Sequence, residues 1–165
     1  MFTDDQKAQA ETVLDACREA GLRLAVAESC TGGLITGCLT AVAGSSDVVE
    51  RGFVVYTNEA KRELLGVPAA LFDDDAPGAV SEEVARAMAE GALQHSNAQI
   101  GVAVTGIAGP GGGTEGKPVG LVHIACARDG AETLHESHVF DGGRDAVRMQ
   151  SVAAALALVR CRVGE

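Results

Sequence analysis

A serine and a lysine each lie where a predicted strand gives way to a predicted helix, so that a nucleophile and a base could meet. Ser29 follows the nearly continuous apolar stretch 22–27 and precedes the apolar helical stretch 34–42. Lys61 lies in the first turn of a helix that follows the strand-like stretch 53–56. Because sites in α/β proteins lie beyond the carboxyl ends of the strands, both side chains are predicted at one edge of a sheet.

A lysine can act as the base for a serine only if its pKa is lowered. At a pKa of ~10.4 the amine is neutral about once in 2,500 molecules at pH 7, and activation to ~7–8 requires roughly 3–5 kcal/mol. A helix N-terminus contributes only about 0.3–1 kcal/mol of this. Burial in an apolar pocket or a neighbouring cation must therefore supply the remainder.

Ordinary structural roles are the alternatives for these residues. Ser29 and Thr31 are typical N-cap residues, and Lys61 could be a solvated helix residue paired with a nearby glutamate. Tyr56 could donate a hydrogen bond to the lysine or the serine, or it could be a half-buried packing residue. The four histidines lie away from the predicted junctions, so we expect them to be surface or core residues.

The turn that contains Ser29 could also supply an oxyanion hole. N–H groups near Thr31, Gly32 and Gly33 have no partners within the following helix, so they could stabilise negative charge on a reacting oxygen. Cys30 is a competing nucleophile, because a thiolate gains from the same helix terminus. We expect a structural role for Cys30, since no histidine is placed to activate it.

Residues 105–114 form a glycine-rich segment that is predicted to be a long functional loop. Its spacing matches neither G-x-G-x-x-G nor G-x-x-x-x-G-K-[ST], so neither a dinucleotide site nor a Walker motif is indicated. The segment could bind an anion or a sugar, or it could be a mobile exposed loop. Arg144 and Arg148 share one face of the last predicted helix and could clamp a phosphate, or they could form surface ion pairs.

The composition describes one globular domain over residues 1–165, with a net charge of −10 and 47% hydrophobic residues. The acidic balance and the few aromatic residues argue against a nucleic-acid partner. No apolar stretch approaches the ~18–20 residues that span a bilayer, and the acidic N-terminal residues lack the pattern of a signal peptide, so we expect no membrane partner and a cytoplasmic location. Five separated cysteines indicate reduced thiols, and no zinc-ligand spacing occurs, so neither a metal nor a cofactor is predicted.

Strands alternate with helices over the first two thirds of the chain, and a hairpin and a helix follow. Thr3 and Gln6 form a capping-box pattern before the first helix, and Asp129-Gly130 predicts the turn of the hairpin. This order predicts an α/β protein, a three-layer α/β/α sandwich around a mixed, largely parallel sheet. The predicted N-caps of the later helices are Asn58, Ser81 and Asp141.

Taken together, these segments resemble the C-terminal domain family of the competence/damage-inducible protein CinA. The resemblance extends from about residue 5 to residue 160, and the A-E-S-C-T-G-G and T-G-I-A-G-P runs are specific to the family. The matching runs are Ala27-Glu28-Ser29-Cys30-Thr31-Gly32-Gly33-Leu34-Ile35, Val55-Tyr56-Thr57-Asn58-Glu59-Ala60-Lys61, Gly78-Ala79-Val80-Ser81, Thr105-Gly106-Ile107-Ala108-Gly109-Pro110-Gly111-Gly112, Lys117-Pro118-Val119-Gly120 and Phe140-x-Gly142-x-Arg144-x-x-Val147-Arg148.

The resemblance implies hydrolysis of the carboxamide of nicotinamide mononucleotide to nicotinic acid mononucleotide and ammonia, without a metal or cofactor. It implies Ser29 and Lys61 as catalytic residues, with Tyr56 assisting, and a homodimer or a higher homo-oligomer. The alternatives are a non-catalytic nucleotide-binding or regulatory domain and an amidase that uses the Cys30 thiol. The implied substrate contacts are Cys30, Thr31, Gly32, Gly33, Thr105, Gly106, Gly109 and Arg144, the last of these toward the phosphate.

Overall fold

The computed structural model of the chain describes residues 2–164. These residues form five α-helices and five β-strands, with two short 3-10 turns at Ser45–Asp47 and Ala69–Phe72. None of the helices in this range is both long and apolar enough to cross a membrane. In chain order the elements are α1 (Asp4–Ala20), β1 (Leu24–Glu28), α2 (Leu34–Thr40), β2 (Val49–Val54), α3 (Asn58–Leu65), α4 (Glu82–Gln94), β3 (Ile100–Gly106), β4 (Leu121–Arg128), β5 (Leu134–Val139) and α5 (Arg144–Val163).

The strands form one mixed sheet in the order β2-β1-β3-β4-β5. β1 pairs in parallel with β2 and β3, while β4 pairs antiparallel with β3 and β5. The chain therefore passes from β1 to one neighbour and later returns to the other, which makes β1 a topological switch point. A crevice forms outside the carboxyl end of such a strand. Ser29 directly follows β1, so the topology places it at this crevice.

Helices cover both faces of the sheet. α1, α2 and α5 pack together on one face, and α4, with α3 beside it, covers the other. Each face has its own buried apolar core, which includes Leu14 and Leu156 on the first face and Leu65 and Met88 on the second. The predicted three-layer α/β/α arrangement around a mixed sheet is confirmed.

Several local predictions are confirmed. Thr3 and Gln6 form the capping box at the start of α1, since each side chain accepts the backbone N–H of the other residue. The hydroxyl of Ser81 accepts the N–H of Val84 at the start of α4. Asp129-Gly130 lies between the antiparallel strands β4 and β5, and Gly130 has a left-handed φ of 76°.

Two predicted N-caps are wrong. Thr57, not Asn58, caps α3, because its extended backbone lets its hydroxyl accept the N–H of Ala60. Asn58 is already helical. Asp141 does not cap α5, since two glycines separate it from the helix, and Gly143 holds the N-cap position without a side-chain hydrogen bond.

The bounds of β2 and β3 also differ from the prediction. β2 begins at Val49 and ends at Val54, earlier than the predicted stretch 53–56. β3 continues through Thr105 and Gly106, which were predicted to be in a loop. Both residues pair with β4, and a side chain at Gly106 would come within 2.7 Å of the Val122 side chain. The glycine is therefore compatible with a strand because it permits this close pairing.

The carboxylate of Glu28 fixes α2 against the end of β1. Glu28 is fully buried, and its Oε2 accepts the N–H groups of Gly33 and Ile35 at 3.1 and 3.0 Å. Its Oε1 accepts the N–H and the hydroxyl of Thr36 at 2.9 and 2.8 Å. Four donors thus satisfy one buried carboxylate. The N–H groups at the start of α2, which have no partner within the helix, find their acceptor in the same carboxylate.

We expect Glu28→Gln to lower the free energy of unfolding by about 2–3 kcal/mol, because the new amide nitrogen would face N–H donors and leave buried groups unpaired. Denaturant unfolding measures this as a lower midpoint at an unchanged slope. The control is Glu11→Gln on the exposed face of α1, which should change the free energy by less than about 0.5 kcal/mol. Equal midpoints for Glu28→Gln and the wild type would contradict the capping role.

We also expect Gly91→Ala to lower the free energy of unfolding by about 1–3 kcal/mol, since a Cβ there would overlap the backbone carbonyl of Leu65 at the end of α3. The matched control is Gly37→Ala in α2, where a Cβ would lie 3.5 Å from the Phe2 ring, an ordinary contact. That substitution should be neutral or stabilising by up to about 1 kcal/mol through helix propensity. The two variants are compared by thermal unfolding, and a more stable Gly91→Ala would refute the close packing of α4 on α3.

Candidate active site

A cleft lies at the carboxyl ends of β1 and β3, where the topology places the crevice. Its volume is about 280 Å³. A larger groove of about 1010 Å³ lies between α1 and α5, and no predicted site residue lines it. Thr31, Gly32 and Gly33 do not line the cleft. The predicted site residues that line it are Ser29, Cys30, Tyr56, Lys61, Thr105, Gly106, Gly109 and Arg144.

Lys61 is a buried amine, with only 1% of its surface exposed. Its Nζ lies 3.0 Å from Ser29 Oγ, 3.0 Å from the carbonyl oxygen of Val55 and 3.3 Å from that of Tyr56. A neutral amine has two N–H donors and one lone pair, and carbonyl oxygens can only accept. If the two N–H groups bind the two carbonyls, the lone pair is left to accept the Ser29 hydroxyl proton. The arrangement therefore suits proton transfer from serine to lysine.

Burial lowers the pKa of Lys61 below its ordinary value of 10.5, because the ammonium form loses its hydration. Charge on the Cys30 thiol acts in the opposite direction and would raise this pKa. No carboxylate among residues 2–164 forms an ion pair with the amine. Lys61 is thus buried, as a lysine base must be if burial is to lower its pKa.

The start of α3 explains how Lys61 reaches Ser29. The backbone N–H of Lys61 donates to the carbonyl of the N-cap residue Thr57, so Lys61 lies one turn into the helix. Helical side chains lean toward the N-terminus of their helix. The long side chain of Lys61 therefore extends back to the carbonyls of Val55 and Tyr56, which precede the helix.

Ser29 is held by the sheet on one side and by a glycine turn on the other. Its N–H donates to the carbonyl of Val104 at 3.0 Å, and its carbonyl accepts the N–H of Gly32 at 3.1 Å. Gly32 and Gly33 have φ values of 58° and 97°, which residues with a Cβ rarely adopt. The paired glycines thus allow the tight turn that follows the serine.

The predicted oxyanion hole is wrong at two of its three residues. The N–H of Gly32 donates to the Ser29 carbonyl, and the N–H of Gly33 donates to Glu28. Both donors already have acceptors within the fold. Thr31 is fully buried, and its hydroxyl has no hydrogen-bond partner among residues 2–164. The N–H groups of Gly32 and Gly33 are therefore not available to a substrate oxygen in this structure.

Arg144 and Tyr56 bridge the mouth of the cleft. The Tyr56 side chain is 58% exposed, and its hydroxyl accepts a hydrogen bond from Arg144 Nη2 at 2.9 Å. Arg144 Nη1 donates to the carbonyl of Gly109 at 2.8 Å. Of the two roles considered for Tyr56, neither a hydroxyl contact with Lys61 or Ser29 nor half-buried packing is found, and Tyr56 meets Lys61 through its backbone carbonyl. The hydroxyl is used to hold Arg144.

Of the two roles considered for the pair Arg144 and Arg148, a shared phosphate clamp does not fit the contacts of Arg148. Its Nε donates to the carbonyl of Cys30 and its Nη2 to the carbonyl of Thr31, both at 3.2 Å. Asp145, which is almost fully exposed, lies 3.9 Å from Nη1. The guanidinium of Arg148 is therefore used within the fold, behind the turn that carries Ser29.

Thr105 holds a wall of the cleft that reasoning from residue types missed. Thr105 is buried, and its hydroxyl donates to the carbonyl of Ala79 at 2.7 Å. Ala79 and Val80 line the cleft, and Lys117 Nζ donates to the carbonyl of Pro77 beside them. The run Gly78-Ala79-Val80-Ser81, one of the matches to the family, could have indicated that this segment lies at the site. It was missed because the side chains that line the cleft there, Ala79 and Val80, are not reactive.

The Cys30 thiol is a poor nucleophile at neutral pH. Burial raises its pKa to about 11, and the charge of Glu28 adds to the increase, while its own backbone N–H, Arg148 and Lys61 lower it. A thiol in this state is protonated and weakly reactive. No histidine among residues 2–164 lines the cleft. Over the same residues, no group of three or more His, Cys, Asp or Glu side chains is arranged to hold a metal ion.

Comparisons with known proteins match nearly the whole chain to one family. The model of the CinA C-terminal domain family matches residues 6–163. A putative competence-damage inducible protein of Caldicellulosiruptor bescii is 48% identical over 160 residues, which cover 96% of this chain and 38% of that protein. A CinA-like protein of Geobacter sulfurreducens is 53% identical over 146 residues, which cover 88% of this chain and 35% of that protein. The chain thus spans less than two fifths of the length of these relatives.

Solved structures match over nearly the whole chain. The crystal structure of the competence/damage inducible protein CihA from Agrobacterium tumefaciens has a TM-score of 0.93 at 46% identity, covering 100% of this chain and 99% of that one. A CinA superfamily protein from Escherichia coli has a TM-score of 0.88 at 32% identity, covering 98% of this chain and 94% of that one. The family model, the relatives and the solved structures lead to one conclusion: the chain belongs to the CinA C-terminal domain family.

Proposed function

We propose that this chain is a nicotinamide mononucleotide deamidase, which hydrolyses the carboxamide of its substrate to nicotinic acid mononucleotide and ammonia. The observation that carries the proposal is the buried Lys61 Nζ, which lies 3.0 Å from Ser29 Oγ and is otherwise held by two carbonyl oxygens. This geometry supports the type of reaction. The resemblance of the motifs to the amidohydrolases of the family supports the substrate.

In the first half of the reaction, neutral Lys61 takes the proton from Ser29 as Oγ attacks the amide carbon. The carbonyl oxygen becomes negatively charged in the tetrahedral intermediate. Protonated Lys61 then gives its proton to the amide nitrogen, the C–N bond breaks and ammonia leaves. The product of this half is an ester between Ser29 and the nicotinoyl group.

In the second half, water replaces ammonia. Lys61 is neutral again and takes a proton from the water as it attacks the ester carbon. The C–O bond to Ser29 breaks, Oγ recovers a proton from Lys61, and the carboxylic acid product is released. One lysine thus acts in turn as base and acid in each half, as in other serine–lysine enzymes.

The charge of the cleft fits an anionic substrate. The guanidinium of Arg144 lines it and no acidic side chain among residues 2–164 does, although the whole protein carries a net charge of −10. Lys61 also lines the cleft, but its active form is the neutral amine and adds no charge. The N–H groups of Gly111 and Gly112, which also line the cleft, donate to no other residue among 2–164. We assign the phosphate of the mononucleotide to Arg144 and these N–H groups, because a guanidinium and free backbone donors suit phosphate oxygens.

We expect Ser29→Ala and Lys61→Met each to reduce ammonia release from nicotinamide mononucleotide by roughly three orders of magnitude or more, since the serine and the lysine act as one unit. Ammonia and nicotinic acid mononucleotide are measured together. The matched controls are Ser46→Ala and Lys7→Met, which change exposed residues that do not line the cleft and should keep wild-type rates.

Three outcomes would contradict parts of this proposal. Full activity in Ser29→Ala, with loss in Cys30→Ser, would make the thiol the nucleophile. Thermal stabilisation of the wild type by the nucleotide, without ammonia release, would favour a non-catalytic binding domain. Ammonia release from Lys61→Met at the wild-type rate would remove lysine from the mechanism.

The pH dependence of the rate should follow the proton on Lys61. The neutral amine is the active form, so kcat/KM should rise with pH and be lost as pH falls through the lowered pKa of Lys61. We therefore expect an ascending limb whose midpoint lies below the ordinary lysine value of 10.5. Initial rates at subsaturating substrate across pH give this midpoint. An ascending limb centred at or above 10.5 would show that burial does not activate the lysine.

A further inference from the structure

Two charged side chains hold the turn that follows Ser29. Glu28 binds the N–H of Gly33 and the first donors of α2. Arg148, which extends from α5, binds the carbonyls of Cys30 and Thr31. The Glu28 carboxylate therefore binds a backbone N–H group of the turn, and the Arg148 guanidinium binds two of its carbonyl oxygens.

The contacts fix the successive peptide groups of the turn one after another. The carbonyl of Ser29 accepts the N–H of Gly32. The carbonyls of Cys30 and Thr31 are held by Nε and Nη2 of Arg148, both at 3.2 Å. The planes of the two peptide groups that flank Cys30 are thus set by Gly32 on one side and by Arg148 on the other.

This arrangement leaves one suitable donor beside the nucleophile. The N–H of Cys30 donates to no other residue among 2–164. In a planar trans peptide group the N–H points away from the carbonyl of the same group, so the N–H of Cys30 points opposite to the Ser29 carbonyl and out of the turn. Cys30 lines the cleft, whereas Thr31 does not. The N–H of the residue after a nucleophile is a common oxyanion donor at strand-to-helix turns.

The charges around this donor act in both directions. Glu28 raises the pKa of the Cys30 thiol, whereas Arg148 and Lys61 lower it, so the guanidinium of Arg148 offsets part of the effect of the Glu28 carboxylate. The acidic side chain nearest to the guanidinium is Asp145, at 3.9 Å and 96% exposed. Solvent screens an ion pair of that kind strongly.

We propose that Arg148 is a positioning residue, which aims the N–H of Cys30 at the substrate oxygen that becomes negatively charged during attack by Ser29. The inference rests on the proposed deamidase function. Arg148 itself touches no substrate atom. It acts through the carbonyls of Cys30 and Thr31, and its contribution is made in the transition state rather than in the bound substrate complex.

The test compares the wild type with Arg148→Lys and Arg148→Met, and uses Arg160→Lys, an exposed residue of the same helix, as control. We expect both Arg148 variants to lower kcat by roughly 10- to 100-fold with KM within about threefold, since a misplacement of about 1 Å can cost ~10²-fold. Lysine keeps the charge but lacks the planar fork that places Nε and Nη2 on the two carbonyls, so its kcat should stay below that of the wild type. Arg160→Lys should match the wild type.

A second measurement separates oxyanion stabilisation from a merely structural effect. Sulfur fits an oxyanion donor less well than oxygen, so the wild type should process nicotinamide mononucleotide much faster than its thioamide analogue. In the Arg148 variants this ratio should shrink by roughly tenfold, because the donor is already misplaced. The ratio does not depend on the fraction of folded enzyme, so it remains valid if a variant is partly unfolded. An unchanged ratio, or a wild-type kcat in both variants, would overturn the inference.

A third measurement does not require deamidation. Ser29 Oγ can displace fluoride from a phosphonofluoridate, and the phosphoryl oxygen then takes the place of the oxyanion. If the wild type reacts but releases no ammonia, the proposed substrate is wrong and the inference is judged on this reaction alone. Phosphonylation of both Arg148 variants at the wild-type rate would reject the positioning role. Slower phosphonylation of these variants, with Arg160→Lys unchanged, would support it.

Discussion

The structure around the cleft depends on one buried contact, between the amine of Lys61 and the hydroxyl of Ser29. A lysine excluded from water favours its neutral form, and the two carbonyls beside it can accept its two N–H groups. Neither carbonyl could supply the proton that the lone pair needs, so the serine hydroxyl fills that position. The fold satisfies a buried polar group and activates a nucleophile with the same three hydrogen bonds.

Much of the remaining structure holds Ser29 and Lys61 in the positions that this contact needs. Ser29 is fixed by β3 and by the turn that Glu28 and Arg148 hold, whereas Lys61 is fixed by the start of α3. α3 in turn packs on α4, where Gly91 allows its close approach. The serine and the lysine are therefore supported from opposite faces of the sheet, and each face has its own apolar core.

The sequence predicted the parts of this arrangement that depend on local pattern. The junctions after β1 and β2 were readable from apolar stretches and caps, which is why Ser29 and Lys61 could be placed at one edge. Thr57 and Asn58 are both good N-caps, so propensity alone could not choose between them. Glu28 ends an apolar stretch, and nothing local shows that its carboxylate turns inward to bind four donors. Arg144 meets Tyr56 across 88 residues, a contact that only the tertiary fold determines.

The bridge between Tyr56 and Arg144 has a practical consequence. The chain contains one tyrosine and no tryptophan, so its near-ultraviolet absorption and intrinsic emission come mainly from a phenol at the mouth of the cleft. A ligand that draws Arg144 away from the Tyr56 hydroxyl would change the surroundings of that chromophore. The native chain therefore carries its own optical reporter of occupancy, without an added label.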